Sequence, residues 1–408
     1  MAMDQAAIKT LLDERISRNR AKALLIDLVK VPSPQTELLE DEPLLKEFIR
    51  TAIEPRLRTM GFSDVRYDEM GNLIATFGNG TSGKSLMLVG NAMNQPASTM
   101  PNPYSGDVVE GAKYGLPGEA VMGKGASEQK ANLAAMLHAL ETVIAAEVPI
   151  AGKLTFLCCL SGETGKHDAI QSVVEGAGVR ADMAVIGGTN LKITLGNRGR
   201  IDVFVTVKGA PCHSSRPWDG ANAITGASEA IRRLLAEVRL DKSHPQLGKQ
   251  TLTVNHIRSF PDSTHTVQER CEFTLDRRLL PGEDPNAAFA ELERIAKSVA
   301  AFADPVSGKP FTVDVRLGAY MYPSLVMTES PVVRALLDAT KVMLGQEAET
   351  YFSPAAFDQG YLNHVGIPTA NYGAGEHQYA HTDYDMASVE RTTDAARVFA
   401  FMVLDYLT

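Results

Sequence analysis

The sequence predicts an α/β protein built on a mainly parallel mixed sheet and interrupted by an inserted α+β domain. Three observations predict it. Short apolar runs at 85–89, 154–160, 183–186 and 369–372 read as strands buried on both faces. Segments of helical apolar spacing alternate with them over residues 1–195 and return after Pro331, the pattern of a parallel sheet covered by helices. Between about 199 and 315 the pattern switches to strands that alternate apolar and polar residues, accompanied by two helices, which marks a separate α+β layer. A chain of 408 residues is also long for a single core. The expected division is an α/β domain at 1–198 and 316–408, with an inserted domain at 199–315.

Taken in order, residues 6–58 carry helical spacing in two pieces, broken by Pro32 and Pro34 and stopped before Gly61. Residues 65–77 read as a hairpin turning at Gly71-Asn72, and the buried strand 85–89 ends at Gly90-Asn91. Residues 126–146 are rich in Ala, Leu and Met and hold no Pro or Gly, which predicts a helix. Strand 154–160 runs into Ser161-Gly162-Glu163. In the insert, residues 201–208 alternate as a half-exposed strand, 221–238 form a helix, 252–257 and 272–275 are strands, and 286–301 form a second helix. A helix after Pro331, strand 369–372, a Gly-rich turn and a helix ending near Tyr406 complete the chain.

Composition narrows the partners. With 49 acidic against 40 basic residues the formal charge is −9, which argues against binding to a phosphate backbone and favours small-molecule partners. At 44% hydrophobic and 22% charged residues the chain is neither collagenous nor disordered. The start lacks the apolar block of a signal peptide, and no run reaches the roughly 18 apolar residues of a membrane helix, so a cytoplasmic location without membrane contact is expected. Cys158, Cys159, Cys212 and Cys271 show no CxxC spacing and read as core thiols.

Polar residues of unusual type follow the apolar strands at Gly90-Asn91-Ala92-Met93, Ser161-Gly162-Glu163 and Gly187-Gly188-Thr189. Further candidates are the stretch 123–130, which opens the long helix, and Gly373-Ala374-Gly375 with Glu376, His377 and His381 after it. In open α/β sheets ligands sit beyond the carboxyl ends of the strands, so these turns are expected to line one cleft. Each has an ordinary explanation too: Glu128 in a first helical turn is favoured by the helix dipole, and a given histidine is more often a surface residue than a ligand. The Gly123-Lys124-Gly125 run has the spacing of neither a Walker nor a Rossmann loop. Together, Glu128, Glu163 and His381 make two carboxylates and an imidazole, a standard set for a divalent cation.

In this order and spacing the segments at 90–93, 123–130, 161–165, 187–190, 209–217 and 373–385 resemble the M20 metallopeptidase and aminoacylase superfamily, to which acetylornithine deacetylase and succinyl-diaminopimelate desuccinylase belong. The resemblance implies a zinc-peptidase-like catalytic domain with a ferredoxin-like lid and dimerisation domain inserted, and a homodimer or higher homo-oligomer. Members hold two ions joined by one carboxylate. By motif position Glu128 stands for the bridging Asp, Glu163 for the Glu ligand and His381 for the late His. Of the residues exclusive to the second ion, the early His is Asn91, the Asp that orients it is Met93, and the acidic ligand falls at Gly188. The family's general base falls at Gly162.

The resemblance with these departures implies one divalent transition metal, Zn or Mn with Fe or Co also suitable, in a hydrolase that breaks a C–N bond of a small carboxylate-bearing substrate. With Gly162 in the base position, proton transfer passes to water ionised at the metal or to a nearby group such as Glu376, His377, Asp385 or His167. His213 matches the family histidine that reaches substrate across the dimer. Asn255, Arg278, Asn91 and the backbone of Gly373 and Gly375 are expected at the substrate, although Arg278 could equally form a surface ion pair with Asp276 or Glu272. A nitroanthranilate-type aromatic aminohydrolase, with Met93, Met100, Met122, Tyr104 and Tyr114 near the pocket, is the specific case. The competing class is a relative that keeps the fold and only binds.

Overall fold

In the computed structural model, which describes residues 3–62 and 64–408, the chain forms two units: Met1–Gly196 with Leu325–Phe352 and Tyr361–Thr408, and Asn197–Ser324 with Ser353–Gly360. The first unit is organised around six strands in the order Asp64–Tyr67, Leu73–Phe77, Lys153–Cys159, Ser85–Asn91, Met183–Thr189 and Thr369–Gly375. The last four run parallel, while the first two form an antiparallel edge. The parallel strands are buried along nearly their whole length, which is why they read as continuous apolar runs. Helices Ala131–Ala145 and Val389–Leu407 pack on each other and on this sheet, and their side chains join its strands in one core.

Local capping explains where the amino-terminal helices break. The first predicted piece is two helices, Gln5–Arg15 and Arg18–Val29, because Ser17 between them caps the second by accepting a hydrogen bond from the Arg20 N–H. The second predicted piece starts at Pro43 and ends at Met60, where Gly61 takes the left-handed conformation that stops a helix. A small antiparallel sheet of Asp107–Glu110, Glu119–Met122 and Met386–Ser388 was not foreseen, since its strands are too short to show a period.

The second unit has the order strand Gly199–Lys208, helix Ala223–Glu237, strands Thr251–Phe260 and Arg270–Leu279, helix Pro285–Lys297 and strand Thr312–Met321. The four strands pair antiparallel with the second and third strands on one side of the first and the fourth on the other, a ferredoxin-like arrangement. Ile201, Val203, Val205 and Val207 all face the helices, which accounts for their alternation with polar residues. The expected border at 315 is corrected: pairing of Thr312–Met321 with the first strand continues to Tyr320 opposite Ile201 and Met321 opposite Arg200, so a cut there would split a strand. Among the described residues no helix is long and apolar enough to cross a membrane.

Candidate metal centre

Two of the candidate ligands hang from turns that follow parallel strands. Glu163 lies four residues beyond Cys159, and His381 lies six beyond Gly375. The third, Glu128, sits in the turn Ala126–Lys130 that leads into Ala131–Ala145. One ligand atom from each of Glu128, Glu163 and His381 lies within 4.8 Å of the others. The His381 Nε2 is 2.9 Å from Glu128 Oε2 and 3.6 Å from Glu163 Oε2.

The backbone around Glu128 is shaped for this approach. Asp385, buried, accepts hydrogen bonds from the Gly125 N–H at 2.7 Å and the Ser127 N–H at 2.8 Å. Glu128 then leaves the helical path, with φ −139° and ψ 104°, and the regular helix begins only at Ala131. The helix-dipole explanation for Glu128 therefore does not apply, because the residue is not in a helical turn. Gly125 has φ +86°, and a Cβ there would lie 2.6 Å from the Asn94 Cβ. His381 itself has φ 63°, a left-handed backbone that costs an L-residue about 1–2 kcal/mol and that aims its ring at the two carboxylates.

Charge points to the same chemistry. Burial, then the neighbouring Glu163 charge, pushes the Glu128 carboxyl above its ordinary value. Hydrogen bonds to Glu128 and Glu163 push the His381 ring up to about 10. Two converging carboxylates and an imidazole are the donor set of a borderline divalent cation, and the residues present fit one.

The residues at the family's second-ion positions do not repeat this. Asn91 ends its strand almost fully buried, and its Oδ1 has no hydrogen-bond partner among the described residues. Met93 packs into the main core. A Cβ on Gly188 would lie 2.8 Å from the Tyr372 backbone N and 3.1 Å from the Asn371 carbonyl carbon, so the adjacent strand closes the place where an acidic side chain would start.

Other expected site residues are placed as follows. Glu376, expected to take part in proton transfer, is fully buried and ion-paired with Arg391, and it accepts from the Ser388 N–H. Asp385 is likewise committed to the 125–127 turn, and His167 is buried with its ring against Tyr361. His377 is exposed, and its N–H donates to Asn190 Oδ1 at 3.4 Å. Gly373 and Gly375 are required by packing: added Cβ atoms would lie 2.1 Å from Asn132 Oδ1 and 2.7 Å from the Ser127 carbonyl, and the Ala374 N–H between them is bound by Asn132 Oδ1 at 2.9 Å.

In the second unit, His213 is exposed with Nδ1 2.7 Å from Ser215 Oγ. Asn255 is exposed at a slip in strand pairing between Val254 and His256. Arg278 forms two hydrogen bonds to Asp276, at 2.8 and 2.9 Å, so the ion pair with Asp276 is present, whereas Glu272 pairs with Arg258 and Arg270.

Sequence reasoning missed the residues that hold the ligands. Gln95 donates its side-chain amide to Glu163 Oε2, and Gln35 donates to the Glu163 carbonyl. The available signal was the polar pair Asn94-Gln95 placed directly after the altered Asn91-Ala92-Met93 turn.

Residues 195–303 match the family model of the M20 peptidase dimerisation domain. The chain is 26% identical over 391 residues to the succinyl-diaminopimelate desuccinylase of Corynebacterium glutamicum, covering 91% of this chain and 92% of that one. In structure it is similar to an M20 family metallo-carboxypeptidase from Sulfolobus solfataricus, with TM-score 0.73, 17% identity and coverage of 95% and 99%. It is also similar to a dinuclear metal-binding M20 peptidase from Bacillus subtilis, with TM-score 0.64, 15% identity and coverage of 98% and 99%. A dimerisation domain of this type, a relative along nine-tenths of the length and the shared fold together make the chain similar to the M20 metallopeptidases and deacylases.

Proposed function

We infer that the protein breaks a C–N bond, of an amide or an aromatic amine, in a small carboxylate-bearing molecule, using one divalent transition metal held by Glu128, Glu163 and His381. The convergence of these three side chains to within 4.8 Å carries the reading, and the closed backbone at Gly188 supports a single ion. Zinc or manganese suits the donor set, and iron or cobalt also does. When bound, the cation supplies Lewis acidity.

The chain's own residues do the rest. Glu128 and Glu163 bring negative charge to the ion, while Asp385 holds the turn that presents Glu128. His377, exposed and two residues beyond Gly375, is the group proposed to move a proton. His213, Asn255 and Arg278 are proposed contacts for the substrate carboxylate, with Asp276 fixing the plane of the guanidinium, and Asn91 offers its unpartnered Oδ1 to a substrate donor. A second copy of the chain is the expected partner, through the dimerisation domain.

The test is elemental analysis of the purified protein with added manganese or zinc, followed by assay against N-acyl amino acids and aminobenzoates. One bound ion with amide turnover supports the general reading, and aminobenzoate turnover assigns the aromatic aminohydrolase case. Two bound ions overturn the single-ion assignment. Failure to bind any divalent ion at micromolar concentration leaves a non-catalytic binding protein, the reading that Gly162 favours.

A further inference from the structure

Glu163 is gripped at three points besides His381. Its carboxylate Oε2 accepts from the Gln95 amide, its carbonyl accepts from Gln35 Nε2 at 3.4 Å, and its N–H donates to Ser161 Oγ at 3.3 Å. Both glutamines come from one buried clasp. Asn94, fully buried, accepts from the Ser33 N–H at 3.1 Å and Ser33 Oγ at 2.9 Å, and its amide donates to the Gln95 carbonyl at 2.7 Å. Backbone bonds Asn94 N–H to Ser33 O, 2.8 Å, and Gln35 N–H to Asn94 O, 2.7 Å, lock the two segments side by side. The same stretch takes a hydrogen bond from buried Lys130 at the Val31 carbonyl, 2.8 Å, so the turn that carries Glu128 is tied to it as well.

We propose that Gln95 is a positioning residue of the metal centre, whose amide N–H holds Glu163 Oε2 so that the carboxylate meets Glu128 and His381. A neutral donor suits the task. It orients the carboxylate while leaving its full charge for the cation, whereas a lysine or arginine at this place would compete with the ion. The half-buried glutamine is held by the clasp at its backbone and is free to act at its side chain. Outer partners of this kind change metal affinity by about 10–100-fold when removed.

The inference rests on the single-ion reading above, and the experiment separates the two. Parent and Gln95→Met proteins, stripped of metal, are titrated with manganese(II) in a calorimeter, and the melting temperature of each metal-free protein is recorded. Methionine keeps the length and packing of glutamine but donates nothing, so a space-filling role is preserved. The expected result is one site in both proteins, a dissociation constant about 10–100-fold weaker in Gln95→Met, and a melting temperature shifted by less than about 2 °C. Equal affinity in parent and variant overturns the role of Gln95 and leaves the metal centre standing. A parent that binds no manganese overturns the metal reading and this inference with it.

Discussion

Two clusters of charge, one in each unit, differ in their balance. On the open face of the ferredoxin-like sheet, Arg200 and Arg278 meet Asp202 and Asp276. Arg200 Nε lies 2.8 Å from Asp202 and 3.5 Å from Asp276, and Arg278 is bound twice to Asp276. Two cations face two anions and the group is neutral by itself. In the first unit Glu128 and Glu163 share only His381, which as a metal ligand must be neutral. A self-balanced cluster orients its members and calls for no further ion, while a cluster with surplus negative charge suits a cation supplied from outside.

The largest effect is expected where that surplus is removed. His381→Ala and Glu163→Ala should each lower metal affinity by at least about 100-fold and abolish turnover, whereas Asn91→Ala should change metal content little. Elemental analysis after dialysis decides; equal losses in all three variants would contradict the comparison.

A closed pair within the first unit should instead report on stability. Arg391→Met leaves the fully buried Glu376 carboxylate without its partner and should cost about 3 kcal/mol, read by denaturant unfolding, with the metal stoichiometry retained. Next in size is Gly188→Glu. It restores an acidic residue at the family's second-ion position but drives a Cβ onto the Tyr372 backbone, so we expect a loss of about 1–3 kcal/mol and still one ion per chain. Recovery of a second ion in this variant would show that the strand contact does not exclude it.

For the balanced cluster, Arg278→Ala should raise KM about tenfold with metal content unchanged, since it removes a charged hydrogen-bond donor and no ligand. The smallest effect is a pH dependence. Burial raises the Glu141 carboxyl, but hydrogen bonds from Arg20 and His138 outweigh it and hold it at about 2 against an ordinary 4.5. A depressed carboxylate stabilises the fold above its unfolded value, and that contribution is lost as pH falls from about 4.5 through about 2. Glu141→Gln should therefore lower stability at pH 7 by about 1 kcal/mol or less, because Arg20 is partly exposed, and the gap to the parent should close on acidification through that window. A gap that stays constant to pH 2 would show that the pair does not titrate with folding.

Much of the fold was legible because its signals are local. Buried parallel strands read as apolar runs, the sheet of the insert read as an alternation, and the turns bearing Glu163 and His381 followed strands that could be located without any knowledge of contacts. Glu128 was found as a ligand candidate but given the wrong backbone. Residues 126–146 have uninterrupted helix-forming composition, and what bends 126–130 away is Asp385, 260 residues from Gly125. The edge of the insert was misplaced because strand Thr312–Met321 is held by pairing with Gly199–Lys208, a contact that leaves no mark at position 315.

The amino-acid order by itself determined the layered α/β class, the inserted α+β unit and the chemical types gathered at the strand ends, since periodicity and residue identity are properties of short stretches. Only the folded chain decided which carboxylates remain available. Glu376 is cancelled by Arg391, Asp385 is spent on two backbone N–H groups, and Glu128 and Glu163 are left facing one imidazole. Whether an anion is neutralised depends on what stands within a few ångströms of it, and those neighbours arrive from distant parts of the chain.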